Sequence, residues 1–157
     1  MENLIVDEEL ITSSGALSVY HAAIDELNRR YEGSDDGFLL KVDELLPPRG
    51  IFLVARVEGH PAGGVGLRSI VEPELMLGEI KRLWVRPDQR QRGVAAALMT
   101  EIEVRARSRG YLQLYLETGY AQPEALALYE KIGWSRVDDY PAGAFSYPIA
   151  SRFTKVL

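Results

Sequence analysis

The sequence predicts an α+β fold in one domain, residues 1–157: a mixed, largely antiparallel sheet of six or seven strands with helices on both faces. Three observations carry this expectation. Three β-rich runs follow closely at 51–57, 62–70 and 79–85, which reads as an antiparallel meander. A helical pattern then leads to a further β-rich run at 112–118, making a βαβ unit whose two strands should be parallel neighbours or near neighbours. A chain of 157 residues, 46% apolar and 26% charged, is ordinary for a compact domain with a sizeable core.

Taken in order, Met1 to Ile11 alternates apolar and acidic residues, and Asn3 to Val6 reads as a first strand. Thr12-Ser13-Ser14-Gly15 is a cap-like cluster. Leu17, Tyr20, Ala23, Ile24, Leu27 and Tyr31 then keep a helical rhythm, so a helix is expected from about Ala16 to Tyr31. His21 within it reads as a surface or partly buried residue rather than a catalytic one. Glu32 to Gly37 reads as a loop, and Phe38 to Leu46 as a strand or short helix ending at Pro47-Pro48. Ile51–Val57 and Ala62–Ile70 form a hairpin around Glu58-Gly59-His60-Pro61, with His60 a plain turn residue. Gly63-Gly64-Val65-Gly66 is not a dinucleotide loop. Ser69 stands where a third glycine is needed, and no helix pattern follows. Strand glycines of this kind mark a bulge or close packing.

The stretch from Gly78 to Arg109 organises the rest. Glu79 to Val85 is a strand, ended by Arg86-Pro87-Asp88. Val94, Leu98 and Ile102 recur every fourth residue, so Ala96 to Arg109 reads as a helix, stopped by Gly110. A small-residue loop opening into a helix is an anion site, because the first helical N–H groups lack partners and the dipole adds positive charge. Gly93 lets an anion approach the backbone, Ala95, Ala96 and Ala97 keep the end narrow, and Arg90 and Arg92 add charge. The bottom-up reading is a pyrophosphate cradle. An ordinary strand–turn–helix with a solvated basic turn is the competing one. Beyond it, Leu112 to Thr118 is a strand, and Pro123 opens a helix along Ala125, Leu128, Tyr129 and Ile132 that Gly133 ends. Trp134 to Asp139 is a strand, Tyr140 to Pro148 a loop, and Ser151 to Leu157 a closing strand.

Composition narrows the function. A net charge of −5 disfavours nucleic acid as a partner and mildly favours cationic substrates. No apolar run reaches the length of a membrane span, and the N-terminus lacks an export signal, so a cytoplasmic protein is expected. With no cysteine there is no disulfide, thiolate zinc site or cysteine nucleophile, and two histidines are too few for a His-rich metal site. No metal is expected.

Two segments carry a resemblance. LWVRPDQRQRGVAAALM is similar to the acyl-CoA signature of the GNAT superfamily of acetyl-CoA-dependent N-acetyltransferases: Arg or Gln, two residues, Gly, one residue, then Gly or Ala. LETGYAQPEALALYEKIGW resembles that family's strand–loop–helix ending in Leu-Tyr-Glu-Lys, one residue, Gly and an aromatic. With the hairpin before and the strand after, the likeness covers roughly residues 50 to 157.

The resemblance implies that acetyl-CoA is a co-substrate and that an amine accepts the acetyl group by direct attack. The backbone of Arg92 to Ala96 (Gly93, Val94 and Ala95 included), with Arg90 and Gln91, would hold the pyrophosphate. The Leu83-Trp84-Val85 strand edge would pair with the pantetheine arm, and Gln122 would hydrogen-bond it where the family commonly has asparagine. A strand splayed from 112–118 would make room for the arm. Tyr129 matches the tyrosine that serves the leaving thiolate, with core packing as its alternative. Glu79, eleven residues before Arg90, matches the catalytic glutamate of the histone-acetylating branch. Its alternatives are a structural pair with Lys81 or Arg82, or service as a counter-ion to the substrate amine. Tyr20, Tyr31, Asp35, Asp36, Tyr140, Phe145 and Tyr147 are the acceptor-side candidates. An acyl-CoA-binding module without turnover, or transfer of a larger group such as succinyl or malonyl, are the rival readings. Homodimers are common in families of this kind.

Overall fold

A computed structural model describes residues 3–31, 40–119, 122–147 and 149–157. Its elements run β1 (Leu4–Glu8), α1 (Ser14–Arg30), β2 (Ile51–Val57), β3 (His60–Ser69), β4 (Leu77–Val85), α2 (Val94–Ser108), β5 (Gln113–Thr118), α3 (Pro123–Lys131), β6 (Ser135–Val137) and β7 (Ser151–Val156). Helix α1 begins two residues before the expected start at Ala16, because Ser13 caps it. The Ser13 Oγ accepts a hydrogen bond from the Ala16 N–H at 3.2 Å. The hairpin turn is shorter than expected. Glu58 and Gly59 take φ of 49° and 83°, a tight two-residue turn, so His60 and Pro61 already pair with Val57 and Arg56. Of the segment read as strand or short helix, the described part is a 3-10 turn at Val42–Leu45.

Among the described residues, the seven strands form one sheet in the order β1-β2-β3-β4-β5-β7-β6. Every pairing is antiparallel except β4 with β5, as the βαβ unit requires. Strand β2 is buried on both faces. Ile51, Leu53 and Ala55 pack with Leu98, Met99 and Ile102 of α2. Phe52 and Val54 pack with Ala16, Val19 and Tyr20 of α1. Helix α3 joins the α2 side through Ala125, Leu128 and Ile132. Helices therefore cover both faces. Gly64 of β3 follows from this contact: a Cβ there would lie 2.8 Å from Val19 Cγ1 of α1. No helix among the described residues is long and apolar enough to cross a membrane.

Two departures from regular pairing shape the centre. Gly64 pairs with Trp84 and Gly66 with Lys81, so Val65 faces both Arg82 and Leu83. That is a β-bulge in β4, and Arg82 holds it with φ of 60°. On the other side, β4 and β5 pair only at Leu77–Gln113, Gly78–Leu114 and Glu79–Tyr115. Beyond Glu79 the strands part, while β5 stays on β7 as far as Thr118–Ser151.

Candidate active site

The parting leaves the β4 backbone from Ile80 to Val85 without a strand partner on one side among the described residues. A cavity of about 1220 Å³ fills the gap. It runs through the sheet. Ala23 and Leu27 of α1 line it from one face, and Val94, Ala125 and Tyr129 of α2 and α3 from the other.

One end is the start of α2. Gly93 is the N-cap, at φ of 84°, and no side chain caps the helix. A Cβ on Gly93 would meet nothing within 4 Å. The first N–H groups therefore open onto free space, with the partial positive charge of the helix behind them. Gln91, at φ of 61°, helps turn the chain into this end. Arg90 lies beside it, its Nε donating to the Val85 carbonyl at 2.8 Å.

Two of the lining residues, Tyr129 and Glu117, are suited to proton traffic. Tyr129 is 6% exposed; its ring packs on Phe153 and Trp134 at 5.5 and 6.4 Å, and it also lines the cavity. Burial pushes its hydroxyl above the ordinary phenol range, so it stays protonated. Glu117 of β5 lines the cavity as well. Its Oε2 accepts from Ser146 Oγ at 2.8 Å, and Arg152 stands 3.8 Å away. Burial raises its pKa above the usual carboxylate range, only partly offset by the Ser146 hydrogen bond, and the nearby Glu79 charge raises it further.

The residues expected from the sequence fall into two groups. Leu83, Trp84, Val85, Arg90, Gln91, Gly93, Val94, Ala95, Ala96, Gln122 and Tyr129 all line this one cavity. Gln122 is oriented by Thr118, whose Oγ1 donates to its Oε1 at 2.8 Å, so its Nε2 is the end it can offer a ligand. Arg92 and Glu79 are not in the lining. Arg92 is exposed on the turn. Glu79 is 2% exposed and engaged at both oxygens. Arg68 donates to Oε1 from Nε at 3.0 Å and pairs with it through Nη2 at 2.8 Å, while the Tyr140 hydroxyl donates to Oε2 at 2.8 Å. Its partner is thus Arg68 of β3 rather than Lys81 or Arg82. Among the acceptor-side candidates, Tyr31 and Tyr147 line the cavity. Tyr147 stacks edge-on with Phe145 at 5.0 Å, and Tyr20 lies beneath the Arg82 guanidinium at 6.0 Å. Asp35 and Asp36 lie outside the described residues.

Glu117 was not among the expected residues. Its only signal in the sequence is its place in the alternation of LQLYLET, opposite in phase to the buried Leu114, Leu116 and Thr118.

An open-backed strand, a bare helix start and a cleft between parted parallel strands define an acyl-thioester-binding class of transferase. The chain belongs to the Acetyltransferase (GNAT) family, whose model matches residues 18–134, and it is accordingly an acyltransferase. It is 36% identical over 126 residues to the IAA acetyltransferase of Azospirillum brasilense, covering 78% of this chain and 79% of that protein. It is 32% identical over 91 residues to the uncharacterized N-acetyltransferase YjgM of Escherichia coli, covering 58% of this chain and about half (54%) of that one. The fold matches a GNAT family acetyltransferase from Elizabethkingia anophelis with acetyl-CoA bound, at a TM-score of 0.68 and 18% identity over 99% of each chain.

Proposed function

We propose that this protein transfers an acetyl group from acetyl-CoA to a primary amine of a small molecule or peptide, by direct attack within a ternary complex. The observation that carries this reading is the gap between β4 and β5, with the uncapped start of α2 at one end and Glu117 and Tyr129 along its length. The Arg90–Ala96 segment receives the pyrophosphate. The β4 edge at Leu83–Val85 pairs with the pantetheine arm as an added strand would, and Gln122 donates to it. Backbone donors of that edge stabilise the oxyanion.

The amine nitrogen attacks the thioester carbonyl and the carbon–sulfur bond breaks. A lysine-like amine with pKa about 10.4 costs about 4.6 kcal/mol to deprotonate at pH 7, so a nearby acceptor for its proton matters. We assign that role to Glu117, whose raised pKa brings it nearer to working pH, acting directly or through one water. Tyr129, held protonated, donates to the departing thiolate. Glu79, with both oxygens engaged, holds Tyr140 and Arg68 in place.

The test is calorimetric titration of acetyl-CoA into the wild type and a Gly93→Glu variant, followed by coenzyme A release across an amine panel. Micromolar binding by the wild type, lost in the variant while its melting curve stays cooperative, is the expected result. Absence of wild-type binding would remove the reading. Tight binding without release on any amine would favour a binding module.

A further inference from the structure

Helix α1 ends over the cavity, tied across it by two ion pairs and with Tyr31 lying against Gly119. Glu26 Oε1 accepts from Arg90 Nη2 at 2.6 Å. Arg30 Nη1 pairs with Glu124 Oε1, in the first turn of α3, at 2.5 Å. Tyr31 lies so near Gly119, past the end of β5, that a Cβ there would fall 2.0 Å from the Tyr31 hydroxyl. Glu26 is the hub: its Oε2 pairs with Arg30 at 3.3 Å, and the Trp84 indole donates to its Oε1 at 3.4 Å. All of these residues line the same cavity.

Arg90 therefore already holds an anion. It sits beside the bare N-terminus of α2, at the place where an incoming phosphate would find partial positive charge. A carboxylate and a phosphate oxygen make the same kind of charge-assisted hydrogen bond to a guanidinium. Crowded onto one guanidinium, the carboxylate and the phosphate would repel each other, so a bound phosphate favours release of Glu26.

We propose that Glu26 is an internal stand-in for the donor's pyrophosphate: it occupies Arg90 in the unliganded protein, is displaced when the donor binds, and so sets donor affinity. This rests on the pyrophosphate lying at Arg90–Ala96. Displacement also removes one of the ties on the end of α1, beside Leu27 and Tyr31 of the cavity wall, while Arg30 keeps its pair with Glu124. Donor binding thus changes the wall on the α1 face before an acceptor arrives.

The experiment titrates acetyl-CoA into the wild type, Glu26→Gln, Arg90→Met and the double variant, at low and high salt. Glu26→Gln should bind about twofold to fivefold more tightly than the wild type at low salt, the order expected for releasing a part-exposed ion pair. The gain should shrink at high salt, where such pairs are screened. In the Arg90→Met background, Glu26→Gln should change nothing. Glu26→Ala repeats the measurement should the amide variant melt early. Unchanged or weaker binding by Glu26→Gln, with the wild type binding normally, would overturn the proposal and make Glu26 a prop that holds Arg90 in place. No binding by the wild type would remove both this inference and the donor site beneath it.

Discussion

Glu79 and Glu117 sit on neighbouring strands and differ in what surrounds them. Glu79 faces an arginine and a phenol that use both of its oxygens. Glu117 is held by Ser146 Oγ and the Tyr147 N–H, with Arg152 and Lys81 the nearby cations and Glu79 the nearby anion. Glu117→Gln should lower kcat by about 100-fold or more, as removal of a general base does. It should also flatten the acid limb of the rate profile. A stability effect follows from the same shift. The folded pKa lies above the ordinary 4.5, so the stabilising neutral form is fully present below that value and is lost as pH rises through the raised one. Glu117→Gln removes this dependence, so its unfolding free energy relative to wild type should improve from pH 4 to pH 7 in urea titrations. An unvarying difference would place Glu117 in an ordinary solvated setting. The resemblance pointed to Glu79, because its spacing of eleven residues from Arg90 is visible in the sequence. An arginine eleven residues upstream that folds back from β3 to consume the carboxylate is not visible, since that depends on strand pairing.

At the scale of elements, most of the order was legible, because the apolar periods and their Gly and Pro punctuation lie within single segments. Helix α3 begins at Pro123 as expected, and the start of α2, the Leu83–Val85 edge and Tyr129 line one cavity. What local pattern did not reveal was tertiary: the cross-cavity ties from Glu26 and Arg30, the approach of Tyr31 to Gly119, and the bulge at Arg82–Leu83. The pivot of the parting strands is another such feature. Gly78 is among the last paired residues of β4 and β5, and a Cβ there would stand 2.8 Å from Leu67 Cδ1 and 2.9 Å from Leu114 Cδ2. Gly78→Val should therefore overpack the pivot and cost about 1–3 kcal/mol in denaturant unfolding. It should also weaken acetyl-CoA binding, since β4 and β5 would separate from a different point. Wild-type stability would show that the pivot yields easily.

Across the whole molecule, one sheet carries two apolar clusters back to back, joined through β2. Strand β2 cannot leave one cluster and keep the other, so we expect residues 1–157 to unfold as a single unit. Phe52→Ala on the α1 side and Leu98→Ala on the α2 side should each cost about 2–5 kcal/mol. Each should shift one shared transition, with tryptophan fluorescence and far-ultraviolet circular dichroism coinciding. Separate transitions would divide the chain into two cooperative parts. The gap between β4 and β5 has a bearing on inhibition. A corridor lined from both faces would let the two proposed reactants approach from opposite sides of the sheet. A compound lodged against Tyr147 should then be noncompetitive toward a thioester bound at the start of α2. One that blocks both approaches must be long enough to pass through the wall.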